Sequence, residues 1–192
     1  MTRLHLATLL AVGAIWGATP MLNKIALRGF SPATLTAGRI AFGAAVIVAV
    51  LVLTSDRRGM VGAFRAAPRP LALAGVLNAA APFFLIAWGQ QWIASGLAGI
   101  LISSAPLFTV LMATPLDRRE RVTGLRLAGF LVGFGGVVLL LATSPGGGRL
   151  ALAGSLAVVA AAFLYAVGAL YVGRSLRGVQ PPVVAAGTLA WA

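Results

Sequence analysis

Seven side chains set inside otherwise apolar stretches could touch a polar solute: Trp16, Asn23, Arg39, Asn78, Trp88, Ser103 and Tyr165. Their chemistry is recognition rather than bond making. Amides, hydroxyls and a guanidinium donate hydrogen bonds, and indole rings offer flat faces. Hydrolysis or group transfer would need a nucleophile–base pair or clustered carboxylates, and the sequence offers neither. There is no cysteine, and the one histidine, His5, stands near the start. No thiol, disulfide, metal or cofactor chemistry is expected, and no catalytic residue is assigned.

Spacing adds roles. Trp16, Pro20 and Asn23 stand at i, i+4 and i+7, on one helical face. That face fits a cavity wall, or else a packed aromatic beside a kink. Asn78 and Pro82 share a face, with Leu85 and Trp92 continuing it and Trp88 beside it. Asn78 suits either interhelical glue or solute contact, because an unsatisfied amide in an apolar medium is expensive. Ser103 and Pro106 share a face, and Gly99 with Ser103 forms a small-xxx-small pair suited to close helix contact. Pro20, Pro82 and Pro106 each remove a ladder donor and are expected as hinges. Gly129, Gly133 and Gly136 form a packing ridge without chemistry. Gln90, Gln91 and Trp92 read as an interface belt.

The elements that position these residues follow from composition. Of 192 residues, 60% are hydrophobic and 9% charged, and the mean hydropathy is +0.99. A soluble surface needs roughly 25% charged residues, so soluble, disordered and fibrous classes are excluded. Each span takes about 20 apolar residues. Apolar runs cover Leu4–Leu27, Pro32–Leu53, Leu71–Trp92, Gly96–Leu116, Thr123–Thr143 and Leu150–Gly173. A seventh opens at Pro181 and reaches Ala192 at about half a span. A first membrane helix explains the start better than a cleaved signal. The expected fold class is an all-α polytopic membrane protein.

The net charge of +12 could suggest nucleic acid, but its distribution says otherwise. With the N-terminus in the cytoplasm, eleven basic residues fall in inner segments. Only Lys24, Arg28 and Arg149 fall outside, and Arg39 lies within a span. Such a bias orients a membrane protein, so no nucleic-acid partner is expected. Arg39 sits about 10 Å down its helix from Pro32. It can snorkel to the interface or meet an anionic group of a solute. Asp56, Asp117 and Glu120 all lie in inner segments, so no carboxylate proton relay is expected here.

A repeat appears at an offset of 149. Leu27-Arg28-Gly29-Phe30-Ser31-Pro32 matches Leu176-Arg177-Gly178-Val179-Gln180-Pro181, and Trp16 meets Tyr165. Five spans separate the copies, so the second would enter the membrane from the opposite side. Inverted repeats of this kind mark secondary transporters. The expected division is a five-helix repeat over 1–143, a linker over 144–149, and the start of an inverted second repeat over 150–192. A complete second copy would bring the protein to about 300 residues and ten helices. The chain is therefore read as a fragment or truncated frame, inactive in transport by itself.

Several passages together resemble the EamA-type transporters of the drug/metabolite transporter superfamily. They are Ile15-Trp16-Gly17, Arg39 with Phe42, and Asn78 through Pro82-Phe83-Phe84. Gly96-Leu97-Ala98, Ala105-Pro106-Leu107-Phe108, Glu120-Arg121-Val122-Thr123 and Gly129 to Val137 follow in order. The resemblance implies ten helices in two inverted repeats and alternating access around a central cavity. It also implies export of amino acids or other small metabolites. The expected protein is then a bacterial inner-membrane secondary transporter rather than an enzyme. Its partners would be a small-molecule substrate, membrane lipid, and either the missing second repeat or a second copy in a homodimer. The rival is a truncated membrane interaction protein that transports nothing.

Overall fold

The computed structural model describes residues 3–53, 68–113, 125–142 and 148–192. Asp56, Asp117, Glu120, most of the inner arginines and the turn at Ser144–Gly147 lie outside the described residues. Every regular element among the described residues is helical. This is what an apolar solvent demands, because a helix satisfies its own backbone groups.

In chain order the helices are α1 (Arg3–Ala26), α2 (Pro32–Leu53), α3 (Pro68–Gly89), α4 (Ser95–Ala113), α5 (Leu125–Ala142), α6 (Arg149–Ser175) and α7 (Pro181–Ala190). Five of them, α1 to α4 and α6, are long and apolar enough to cross a membrane. The chain is a multi-pass membrane protein, as its composition implied.

Local chemistry sets the ends. Pro32 opens α2 at a position that needs no N–H, and the Ser31 hydroxyl accepts the Thr34 N–H at 3.2 Å. The α6–α7 turn passes through Gly178 at φ 87°, a left-handed conformation that suits glycine. The α1–α2 turn and the α6–α7 turn occupy equivalent positions at the offset of 149, with Ala26 matching Ser175 and Pro32 matching Pro181.

Two helices are interrupted where the sequence suggested continuous spans. In α3, a π-helical turn at Val76–Ala80 precedes Pro82. Ala81 donates to the Val76 carbonyl five residues back, and Pro82 has no N–H to donate. In α4, the ladder breaks at Ser103 and Ser104 and restarts at Ala105. Their hydroxyls turn back onto the carbonyls of Ile100 and Leu101, each at 2.6 Å. Pro106 then stands at the second position of the restarted helix.

Helix α6 sits centrally. It packs against the second half of α3 and both halves of α4. Gly89 and Gly154 let α3 and α6 approach backbone to backbone: a Cβ on Gly154 would lie 2.7 Å from the Gly89 carbonyl. Ile93, Leu97, Leu101 and Val158 fill the adjoining core. Helix α7 covers α2 and the first half of α3, with Leu71 against Gly187. Helix α1 lies at the edge on the first half of α4, and most of its apolar surface is exposed.

Candidate functional site

The polar side chains meet where α1, α2, α3 and α6 converge. Arg39 enters from α2. Its Nη1 donates to Asn23 Oδ1 on α1 at 3.1 Å. Its guanidinium carbon stands 4.3 Å from the centroid of Phe83 on α3, in cation–π contact. Tyr165 on α6 is half-buried and within electrostatic reach of Arg39. No Asp or Glu occurs among the described residues, so Arg39 has no carboxylate counter-ion there.

The hydrogen-bond inventory of this corner is one-sided. Because Arg39 can only donate, Asn23 must present its oxygen to it and turn its Nδ2 away. Asn23 is buried, and that Nδ2 has no partner. Thr36 lies three residues before Arg39, on the same side of α2, and its buried Oγ1 is also unpaired. The Nε and Nη2 groups of Arg39 bond to no acceptor among the described residues. The corner thus holds unused donors and one positive charge.

A second polar junction lies one turn away, and there the cation has its acceptors. Gln90, at the end of α3, is completely buried rather than part of an interface belt. Its Nε2 donates to the Pro20 carbonyl at 2.8 Å. Lys24 on α1 donates to the carbonyls of Gln90, Gln91 and Ile93, the last two at 3.3 and 3.0 Å. A cation at these carbonyls complements the helix dipole as well as its orphan acceptors. Sequence reading gave Lys24 only a topological role. The signal was present as a lysine one turn after Pro20, facing the uncharged Gln90–Ala94 connection.

The other expected site residues divide. Asn78 donates to the Ala74 carbonyl at 3.0 Å and packs on Gly168, three residues from Tyr165, so it borders the same junction. Pro82 is buried beside it. Pro20 is buried and touches Gly99, which joins α1 to α4. Trp16 is 69% exposed and outside the cluster. Ser103 is exposed, and its hydroxyl is committed to Ile100. Trp88 packs edge-on against Trp92 at 4.5 Å. Of the glycine ridge, Gly133 is pressed by Leu107, while Gly129 and Gly136 face open space.

An open groove of about 450 Å³ runs between α1 and α4, lined by Gly17, Pro20, Met21, Gly96, Gly99 and Ser103 among others. It is open to the outside and lined mainly by glycines and apolar side chains. The unpaired buried groups of Asn23 and Thr36 lie at the Arg39 junction and not in the lining of this groove.

Residues 4–142 match the model of the EamA-like transporter family. The chain is 27% identical over 125 residues to an uncharacterized transporter of Archaeoglobus fulgidus, across 65% of this chain and 43% of that protein. It is 30% identical over 128 residues to a probable terminal-alkyne amino-acid exporter of Streptantibioticus cattleyicolor, across 65% of this chain and 40% of that protein. The aligned region thus spans about two-fifths of the length of these curated relatives. No solved structure matches the chain.

Proposed function

This chain belongs to the EamA-like transporter family, and from that premise we propose that it forms part of a secondary transporter exporting amino acids or other small metabolites. The observation that carries the reading is the Arg39 junction: a cation with no Asp or Glu beside it among the described residues, held by Asn23 and Phe83 where four helices meet. Charge inside a membrane bundle is costly and is retained for a ligand, ion or partner.

Alternating access supplies the mechanism. The solute binds between helices near mid-membrane, and rocking of the two repeats exposes it to either side. The recurrence of the helix–turn–helix bounds at an offset of 149 supports division into 1–143 and 150–192, joined at 144–149. The interruptions in α3 and α4 lie next to Pro82 and Pro106, and discontinuous helices of this kind surround transporter sites. Pro20, Pro82 and Pro106 serve as hinges. Arg39, Asn23 and Tyr165 bind, with Asn78 bordering them. Trp16, Trp88 and Ser103 lie along the path outside that junction. The bias of arginine toward the inner segments supports a cytoplasmic N-terminus, in keeping with a transporter of a bacterial inner membrane.

The test is counterflow in proteoliposomes carrying the protein from its complete reading frame, with radiolabelled amino acids. Saturable exchange above that of empty liposomes is expected. Exchange no greater than in empty liposomes for every amino acid would sink the reading.

A further inference from the structure

We infer that the Arg39 junction is a carboxylate-binding site, so that the substrates carry a single carboxylate recognised by Arg39, the Asn23 amide and the Tyr165 hydroxyl. This deepens the transporter reading and rests on it for the origin of the ligand, but binding is measurable without transport.

Three observations carry the inference. First, the unsatisfied groups can donate, the Thr36 hydroxyl being able to accept as well. Asn23 Nδ2 is buried and unpaired, and the Nε and Nη2 groups of Arg39 lack acceptors among the described residues. A buried donor without a partner is destabilising, so its retention calls for an acceptor that arrives from outside. Second, the guanidinium is held in place before the ligand comes. The Phe83 face and Asn23 Oδ1 fix its plane, which leaves the remaining N–H groups for a two-pronged contact with a planar carboxylate. Third, the charge balances at one. A phosphate dianion would need a second cation, and the nearby Lys24 is already bound to three backbone carbonyls. One guanidinium matches the charge of one carboxylate.

Tyr165 stands on α6, half-buried and within electrostatic reach of Arg39. Its phenol can donate to the second carboxylate oxygen, which would tie the ligand to both α2 and α6. Those two helices belong to the two proposed repeats, so the ligand would bridge the parts that move.

The experiment uses the complete protein purified in detergent. Thermal unfolding is followed with L-amino acids, with the matching amino-acid amides, and with inorganic phosphate. At least one amino acid is expected to raise the midpoint while its amide does not. Arg39→Gln is expected to weaken binding of that amino acid roughly ten- to a hundred-fold, the loss of a charge-assisted contact. Should Arg39→Gln not fold, Arg39→Lys keeps the charge but not the fork, and a several-fold weakening is expected from it. Amides that stabilise as well as the acids, or variants that bind as the wild type does, would overturn the inference. So would no stabilisation by any carboxylate, or stronger stabilisation by phosphate. Counterflow separates this from the transporter reading. Carboxylate binding without flux defeats that reading alone, and equal flux of acids and amides defeats the carboxylate site alone.

Discussion

Lys24 and Arg39 lie on either side of the α1–α2 turn, and the fold treats the two charges in opposite ways. Lys24 is saturated: backbone carbonyls at Gln90, Gln91 and Ile93 take up its ammonium. Arg39 is not: among the described residues one amide oxygen and one aromatic face hold it. Neither meets a carboxylate, because the described residues contain none. Where acids are absent, the number of acceptors around a cation distinguishes a tie between helices from a site for a ligand. Lys24 joins α1 to the α3–α4 connection. Arg39 keeps N–H groups without acceptors among the described residues.

The comparison is tested most severely by removing the saturated charge. Lys24→Met would leave three carbonyls without their donor. Hydrogen bonds to charged groups contribute about 1.5–3 kcal/mol each but do not add fully, so a loss of about 3 kcal/mol in stability is expected. Unfolding of the complete protein in detergent, followed by circular dichroism, measures it. Binding of any stabilising amino acid should change by less than about twofold. A Lys24→Met protein as stable as the wild type would mean that the ammonium ties nothing together.

The converse change should dissociate the two effects. Arg39→Ala removes one hydrogen bond to Asn23 and one cation–π contact, each about 1 kcal/mol. It also removes a charge whose burial opposes folding. The expected net change in stability is about 1 kcal/mol or less, accompanied by loss of carboxylate binding. Paired unfolding and binding curves for Arg39→Ala and Lys24→Met read out both. If Arg39→Ala costs as much stability as Lys24→Met, the two cations are of one kind and the contrast fails.

A third change probes the tie from its other end. Gln90 donates to the Pro20 carbonyl, but its Oε1 is buried without a partner. Gln90→Leu loses the bond and also removes the unsatisfied acceptor, so the two terms offset. A loss of about 1 kcal/mol is expected. A loss as large as that from Lys24→Met would show that the side-chain amide, not the ammonium, joins α1 to α3.

The sequence made the spans legible and the contacts between them illegible, for one physical reason. A run of about 20 apolar residues declares itself through its own solvation, with no reference to a partner. Arg39 stood out for the same reason, as a charge within a span. Gln90 did not, because an amide beside Trp92 at the end of a span looks like an interface residue. What makes it a core residue is the Pro20 carbonyl, 70 positions away. Asn23 was legible as polar, but its pairing with Arg39 depends on how α1 and α2 lie side by side. Gly89 and Gly154 reveal their purpose only as a pair of touching backbones. The break in α4 was legible in part: Pro106 announced it, but the interruption falls at Ser103 and Ser104, whose hydroxyls compete for the ladder carbonyls.

The smallest expected effect is the most discriminating. Phe83 holds the Arg39 guanidinium at 4.3 Å and meets no charge of its own. Phe83→Leu keeps an apolar side chain at the helix contact but removes the ring face, a loss of about 0.5–1 kcal/mol. If the ring serves to fix the plane of the fork, that loss appears in ligand affinity, as a two- to five-fold rise in Kd for a carboxylate. Stability without ligand should then hardly change. If the ring serves to bind α2 to α3, the loss appears in the unfolding midpoint and the affinity stays put. Isothermal titration of the Phe83→Leu protein decides between them. The second result would make Arg39 a structural cation like Lys24, held by a ring instead of by carbonyls, and would leave the unpaired groups of Asn23 and Thr36 as the remaining signs of a ligand at this junction.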